Sequence, residues 1–313
     1  MGKPGPGFVI SDIPFSIMKV SKQLSEVLGY PHLVGFYIHD PHIKNVVYIG
    51  NPNTTMQHVF IQTPYDVNRI AYLVIEGPLK TTYKINKPVN YVVTPSRQWV
   101  EYLRAYSSNV IVIPHGIDTK QYVEPKPFEE RGMFLYIAGY IHRKYPPYAF
   151  PIYEEFGKLI HVVTSPNNPY LQFFNVLTTK IYTREVTDEY IYGLYATHRF
   201  YLNLSDSEGF GLTPYEACNY GAVPILPRLP VFLEYFPSDL PIWFDVTGET
   251  YCEDFVFECI QHYVYDVNSL RDAIKEAIDM RKEEWVDRSA KCMEWVKAFD
   301  YRVVYQGFKD LLR

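Results

Sequence analysis

The chain has 313 residues, enough for two domains of ordinary size, and its 47% hydrophobic and 21% charged residues exclude a disordered polymer. A net charge of -5 argues against broad nucleic-acid binding, which needs many lysines and arginines to neutralise phosphates. No apolar run is long enough to cross a bilayer and MGKPGPGFVI lacks the pattern of a signal peptide, so a soluble cytoplasmic protein is expected, with peripheral membrane contact left open.

The chain starts on a glycine and proline loop, GKPGPG, with no strand predicted before it. Apolar residues at Ile17, Val20, Leu24, Val27 and Leu28 then predict a helix over Ser16 to Leu28. Short strands are predicted at Leu33 to Ile38, Val46 to Ile49, Val59 to Thr63, Ala71 to Glu76, Tyr91 to Thr94 and Val110 to Ile113. Ser96 can cap a helix running to about Tyr106. His115, Gly116, Ile117 and Asp118 form a turn, and the Pro, Glu and Lys residues that follow, up to Arg131, read as an exposed linker.

A second set of elements begins with a buried strand, Met133 to Ala138, then Gly139 and a loop bearing Arg143 and Lys144. Strands follow near Leu159 to Thr164 and Lys180 to Tyr182, and Thr187 caps a helix to Thr197. The stretch FYLNLSDSEGFGLTPYEACNYGAVPIL reads as strand (Phe200 to Leu204), loop (Ser205 to Leu212), helix (Thr213 to Tyr220) and strand (Ala222 to Leu226). Thr213 and Glu216 have the spacing of a capping box, Pro214 suits a first helical position and Gly221 a helix end. Gly209 and Gly211 therefore precede a helix N-terminus, where free amides and the helix dipole favour an anion such as a phosphate. A proline-broken loop with one short strand comes next, and the remainder is predicted helical over Val267 to Met280, Glu283 to Phe299 and Tyr301 to Leu312. Cys218, Cys252, Cys259 and Cys292 lack C-x-x-C spacing and are read as reduced and mostly buried, with no metal expected.

The order E-GFGLTPY-E, with Ser205 three residues before Glu208 and the G-x-x-P of Gly221 to Pro224, resembles the E-x7-E motif of the retaining GT-B glycosyltransferases that use nucleotide sugars (family 4-like, group 1). That resemblance implies an α/β fold of two Rossmann-like domains facing across a cleft. Residues 1–118 would form the acceptor-side domain with its first strand reduced or missing, 119–131 the linker, 132–299 the donor-binding domain, and 300–313 a C-terminal helix able to cross back to the first domain. Glu208 and the backbone of Gly209, Phe210, Gly211 and Leu212 would meet the donor sugar and diphosphate, with Thr213 at the helix mouth and Glu216 on the ribose. Lys144 matches the family's diphosphate lysine. Tyr140 stands where the family has an arginine and Tyr145 where it has a glycine, which makes Arg143 the substitute cation. Gly5 and Gly7 would lie in the acceptor-side glycine loop, and residues 183–186 would contact the base. Glu76 falls where the family places a histidine facing the sugar, with His39, His58 and His115 as alternatives. Glu208, Lys144 and Glu76 are thus the catalytic candidates.

The expected activity is transfer of a sugar, with retention and without a metal, from a UDP- or GDP-linked donor to an acceptor that is a glycan, lipid, protein or small molecule. No cofactor is implied. The competing readings are a nucleotide-sugar-binding protein without transfer, a GT-B epimerase, and a glycoside hydrolase, which Glu216 suits poorly because a capping box turns it toward the helix start.

Overall fold

The computed structural model describes residues 5–12, 15–37, 39–80, 88–139, 144, 147–169, 171–177, 180–182, 187–254 and 258–313. The chain divides into two compact units. The first comprises Met1–Asp118, Cys252–Gln261 and Ala298–Arg313, and the second Thr119–Tyr251 and His262–Lys297.

The first unit is built on six parallel strands in the order β2-β1-β3-β4-β5-β6: β1 (Gly7–Ser11), β2 (His32–Val34), β3 (Asn45–Gly50), β4 (Asn68–Leu73), β5 (Tyr91–Thr94) and β6 (Val110–Val112). Helices α1 (Phe15–Leu28), α2 (Thr54–Gln62) and α3 (Val100–Leu103) connect them. The order places β1 inside the sheet, fully buried between β2 and β3, so the first strand is present and complete. It follows the glycines instead of preceding them. Gly5 and Gly7 therefore lie at the amino end of β1, away from the carboxyl ends where open α/β sheets bind ligands, and their acceptor-side reading is overturned. A side chain at Gly7 would come within 2.4 Å of the Tyr30 ring, so this glycine serves packing.

The strand expected at Val59 to Thr63 is the second half of α2. Met56, Val59 and Phe60 are buried at helical spacing, and Asn53 caps the helix by accepting from the Met56 amide. Together with Phe8, Ile10, Tyr48 and Trp99, these side chains form the core of the unit. The Ser96 cap is present, but it opens a 3-10 turn, and α3 ends at Leu103.

The second unit has six parallel strands in the order β12-β11-β10-β7-β8-β9: β7 (Gly132–Gly139), β8 (Ile160–Thr164), β9 (Lys180–Tyr182), β10 (His198–Leu202), β11 (Val223–Pro227) and β12 (Ile242–Phe244). Its helices are α4 (Phe150–Phe156), α5 (Leu171–Leu177), α6 (Asp188–Ala196), α7 (Leu212–Asn219), α8 (Pro230–Tyr235), α9 (Val267–Asp279) and α10 (Lys282–Trp295). Thr187 caps α6 as expected, accepting from the Tyr190 amide. Part of the proline-rich loop expected after Leu226 is helix α8, which Pro230 starts.

Between β12 and α9 the chain makes a two-stranded ribbon, β13 (Val246–Asp254) and β14 (Cys259–Tyr265), which the sequence reading did not contain. Cys252 and Cys259 are joined across it as a disulfide, so these two are not reduced; Cys218 and Cys292 are free and buried. Asp254 lies within 4.8 Å of both sulfurs, but the disulfide occupies them and Asp254 pairs with Lys80 at 3.2 Å, so the trio makes no metal site.

The last residues belong to the first unit. Helix α11 (Tyr301–Val304) and the 3-10 turn Tyr305–Leu311 replace the single long helix expected there. The Ile117 amide donates to the Phe299 carbonyl and the Ile117 carbonyl accepts from the Tyr301 amide, while Asn68 and Asn45 donate to the carbonyls of Leu311 and Arg313. Among the described residues no helix is long and apolar enough to cross a membrane.

Candidate functional site

The acidic motif sits at the carboxyl end of β10. The chain leaves the sheet at Leu202, runs through a buried loop and enters α7 at Leu212. The turn into the helix depends on Gly211, which caps it at φ 80° and ψ 73°. That left-handed conformation suits glycine, and a Cβ there would lie 2.6 Å from the Phe232 ring. Gly211 makes no side-chain hydrogen bond to the first turn of α7, unlike Asn53 on α2 or Thr187 on α6. The amides at this helix start are thus offered by the backbone alone.

Thr213 is not the cap. It lies inside the first turn, and its Oγ1 accepts from the Tyr201 hydroxyl at 2.8 Å. The capping box with Glu216 is not formed for the same reason. Glu216 is half-buried and accepts from the Tyr195 hydroxyl at 3.4 Å. Burial, and then the nearby carboxylates, push the Tyr195 and Tyr201 hydroxyls well above their ordinary range, so both remain protonated donors beneath the helix start. Phe210 turns inward and stacks on Tyr215 at 4.7 Å. Gly221 ends α7 at φ 74°, as its sequence position suggests.

Lys144, on the loop after β7, donates to Glu208 Oε1 at 2.6 Å. The lysine side chain keeps 20% of its surface in solvent and the glutamate 5%, so this is a largely desolvated pair. The strands that carry these two loops, β7 and β10, are neighbours in the sheet, which is why residues 64 positions apart meet. Arg143 and residues 183–186 lie outside the described residues.

One further cluster was not foreseen. Asp206, two residues before Glu208, is fully buried, and its Oδ1 lies 2.7 Å from His262 Nδ1 on β14. Its Oδ2 accepts from the hydroxyls of Tyr148 and Tyr251, each at 3.4 Å, and its carbonyl accepts from the Tyr263 amide at 2.8 Å. The Tyr251 ring stacks on His262 at 4.5 Å. Fifty-six residues separate Asp206 from His262, so no local spacing signals the pair.

Glu76 stands in the first unit just past β4. Its amide donates to Glu258 Oε2 at 2.8 Å, and its carbonyl accepts from the Gln261 amide at 2.9 Å. Asn51 donates to the other oxygen of the buried Glu258 at 3.3 Å. Of the histidine alternatives, His39 and His58 are exposed. His115 is buried with Nδ1 2.7 Å from the Tyr72 hydroxyl, and burial lowers its pKa to about 3. It stays neutral inside the unit and reads as structural.

No family model matches the chain. A protein named "Putative glycosyltransferase ORF313" from Acidianus filamentous virus 1 (isolate United States/Yellowstone) is 28% identical over 126 residues, which is 39% of this chain and 39% of that protein. "Putative glycosyltransferase 41" of Sulfolobus islandicus filamentous virus (isolate Iceland/Hveragerdi) is 35% identical over 118 residues, 37% of this chain and 35% of that protein. Each match therefore spans well under half of the relative's own length. Among solved structures, sucrose-phosphate synthase from Thermosynechococcus elongatus superposes with a TM-score of 0.70 over 98% of both chains at 13% identity. TarM superposes with a TM-score of 0.62 over 85% of this chain and 54% of its own, at 11% identity. Two parallel-sheet α/β units joined in this order, matched along their length by such proteins, make the fold of this chain that of the GT-B glycosyltransferases.

Proposed function

We propose that this protein is a glycosyltransferase that moves a sugar from a nucleoside-diphosphate sugar, UDP- or GDP-linked, to an acceptor with retention of anomeric configuration and without a metal. The observation that carries the proposal is the Lys144–Glu208 pair, at 2.6 Å, on the loop that leads to an α7 start capped by glycine backbone alone. A donor diphosphate would accept from the first-turn amides of α7 and from Lys144, with Arg143 as a second cation. Glu216 would hold the ribose hydroxyls, with Tyr195 fixing one of its oxygens. Glu208 would receive the sugar, and Glu76 is proposed as a further catalytic residue.

Transfer breaks the bond between the anomeric carbon and the diphosphate oxygen, and the leaving group keeps the electron pair. Charge grows on the diphosphate as the acceptor hydroxyl forms the new bond and passes its proton to the departing phosphate oxygen. A cation and amides aimed at that growing charge lower the barrier, each such donor being worth about 3 to 4 kcal/mol where it has been removed by mutation. The protein is proposed to work in the cytoplasm, with nucleotide sugar as donor partner and no cofactor.

Calorimetric titration with a panel of UDP- and GDP-sugars, followed by turnover with candidate glycan, lipid, protein and small-molecule acceptors, tests the reading. The expected result is saturable binding of one donor class and acceptor-dependent release of nucleoside diphosphate. Absence of donor binding across the panel overturns it, and binding without turnover leaves only the nucleotide-sugar-binding function.

A further inference from the structure

We infer that Asp206 is a positioning residue that ties the Lys144 loop and the Glu208 loop together; this deepens the donor-site reading and rests on it. Asp206 precedes Glu208 by two residues, and Tyr148 follows Lys144 by four, on the 3-10 turn Pro147–Ala149. The Tyr148 hydroxyl reaches Asp206 Oδ2 at 3.4 Å, so the two loops are joined a second time, behind the Lys144–Glu208 pair. That join does not depend on the ion pair, which an arriving phosphate must compete for.

The anchor of the arrangement is β14. His262 Nδ1 lies 2.7 Å from Asp206 Oδ1, the Tyr263 amide donates to the Asp206 carbonyl at 2.8 Å, and the Tyr265 hydroxyl donates to the Leu204 carbonyl at 3.4 Å. Tyr148 also reaches the Tyr263 carbonyl at 3.4 Å, and its ring meets the edge of Tyr265 at 4.8 Å. Three side-chain donors converge on one carboxylate whose side chain is 1% exposed, with 2% for His262. A carboxylate so enclosed needs all of them, because a buried charge is tolerated only when it is fully hydrogen-bonded. The bond lengths rank the contacts: His262 holds Asp206 tightly, and the two phenols at 3.4 Å trim its direction. Burial and the Asp206 carboxylate push the Tyr148 hydroxyl far up, which keeps it a donor.

The test uses the full chain and variants Asp206→Asn and Tyr148→Phe, the second of which keeps the ring and guards against a misfolded Asp206→Asn. Acylation of lysines by an amine-reactive ester, read peptide by peptide in a mass spectrometer, reports how tightly Lys144 is held and needs no donor. Labelling of Lys144 is expected to be about tenfold faster in Asp206→Asn and about threefold faster in Tyr148→Phe, while Lys126 and Lys158 label as in the wild type. A merely structural role would lower the melting temperature and raise all lysines together. In donor turnover, Asp206→Asn is expected to raise KM for the donor about tenfold in the wild-type background and less than threefold in Lys144→Ala, since it acts through that lysine. Unchanged Lys144 labelling in both variants, or equal labelling gains at all three lysines, overturns the inference. If the wild type binds no nucleoside diphosphate, the glycosyltransferase reading falls, while the labelling still decides whether Asp206 positions Lys144.

Discussion

Replacing Lys144 with alanine separates the two jobs assigned to it. In the unliganded protein the lysine neutralises Glu208 at 2.6 Å, with the carboxylate side chain 5% exposed and the ammonium side chain 20% exposed. Breaking a fully buried ion pair by removing one partner costs about 3 to 5 kcal/mol, because the remaining charge is left without compensation. One-fifth exposure of Lys144 argues for the lower end, about 3 kcal/mol, which for a unit of this size corresponds to a fall of about 6 to 12 °C in Tm. The catalytic loss has a different origin, since a charge stabiliser for the departing diphosphate disappears, and turnover should fall about 10²- to 10³-fold. The double variant Lys144→Ala with Glu208→Ala removes the orphaned carboxylate along with its partner, so its Tm should return to within a few degrees of wild type while turnover stays low. Differential scanning calorimetry and nucleoside-diphosphate release measure the two quantities on the same preparations. Turnover of Lys144→Ala within threefold of wild type, or a double variant no more stable than the single one, refutes the reasoning.

Gly211→Ala forces a Cβ into the left-handed region and within 2.6 Å of Phe232, so a stability loss above about 2 kcal/mol and weaker donor binding are expected by chemical denaturation and calorimetry. Glu216→Gln keeps the shape of the side chain that Tyr195 contacts but weakens its acceptance of two hydroxyls, so the donor Kd should rise about tenfold with little change in Tm. His115 has its pKa lowered from 6.5 to about 3 by burial, so the native state takes up no proton while the unfolded chain takes up one below 6.5. Its contribution is present at neutral pH and is lost as pH falls through that window, by about 2.5 kcal/mol at about pH 4.5. Urea titrations across the range should therefore give a steeper low-pH decline for the wild type than for His115→Gln. Gly77→Ala would put a Cβ 1.7 Å from the Cys259 carbonyl and should displace the ribbon tip from the first unit, seen as increased amide exchange at Glu258 and Cys259.

Most strands were legible because their residues are buried on both faces and form short apolar runs, as VVYI in β3 and FYL in β10 do. The same signal misled at Val59, Phe60 and Ile61, where two residues of a buried helix face are followed by an exposed isoleucine that lengthens the apolar run. It was also missed at β1, where FVI directly follows a glycine and proline run that dominates the local reading. The ribbon escaped altogether: β13 is exposed along nearly its whole length and carries no apolar alternation, its partners being supplied by distant segments. In the candidate site, the resemblance of the motif singled out Lys144 and Glu208, which the structure brings to 2.6 Å of one another. The role of Thr213 was misjudged because a capping box and a glycine cap two residues earlier look alike in sequence, and the structure chose Gly211. Asp206, His262 and Tyr148 were not legible, since nothing but the fold brings positions 148, 206 and 262 together.

The return of the C-terminal segment to the first unit sets an order of assembly opposite to the order of synthesis. Residues 1–118 by themselves lack the groups that answer the Gly116 amide and the Ile117 backbone and the carbonyls of Arg313 and Leu311 to which Asn45 and Asn68 donate, all supplied by residues beyond Ala298. The second unit, drawn almost entirely from the middle of the chain, can complete its sheet earlier. A nascent polypeptide would thus carry residues 1–118 unfinished until the residues beyond Ala298 have emerged, and refolding of a fragment of residues 1–118 should wait on that later peptide added in trans.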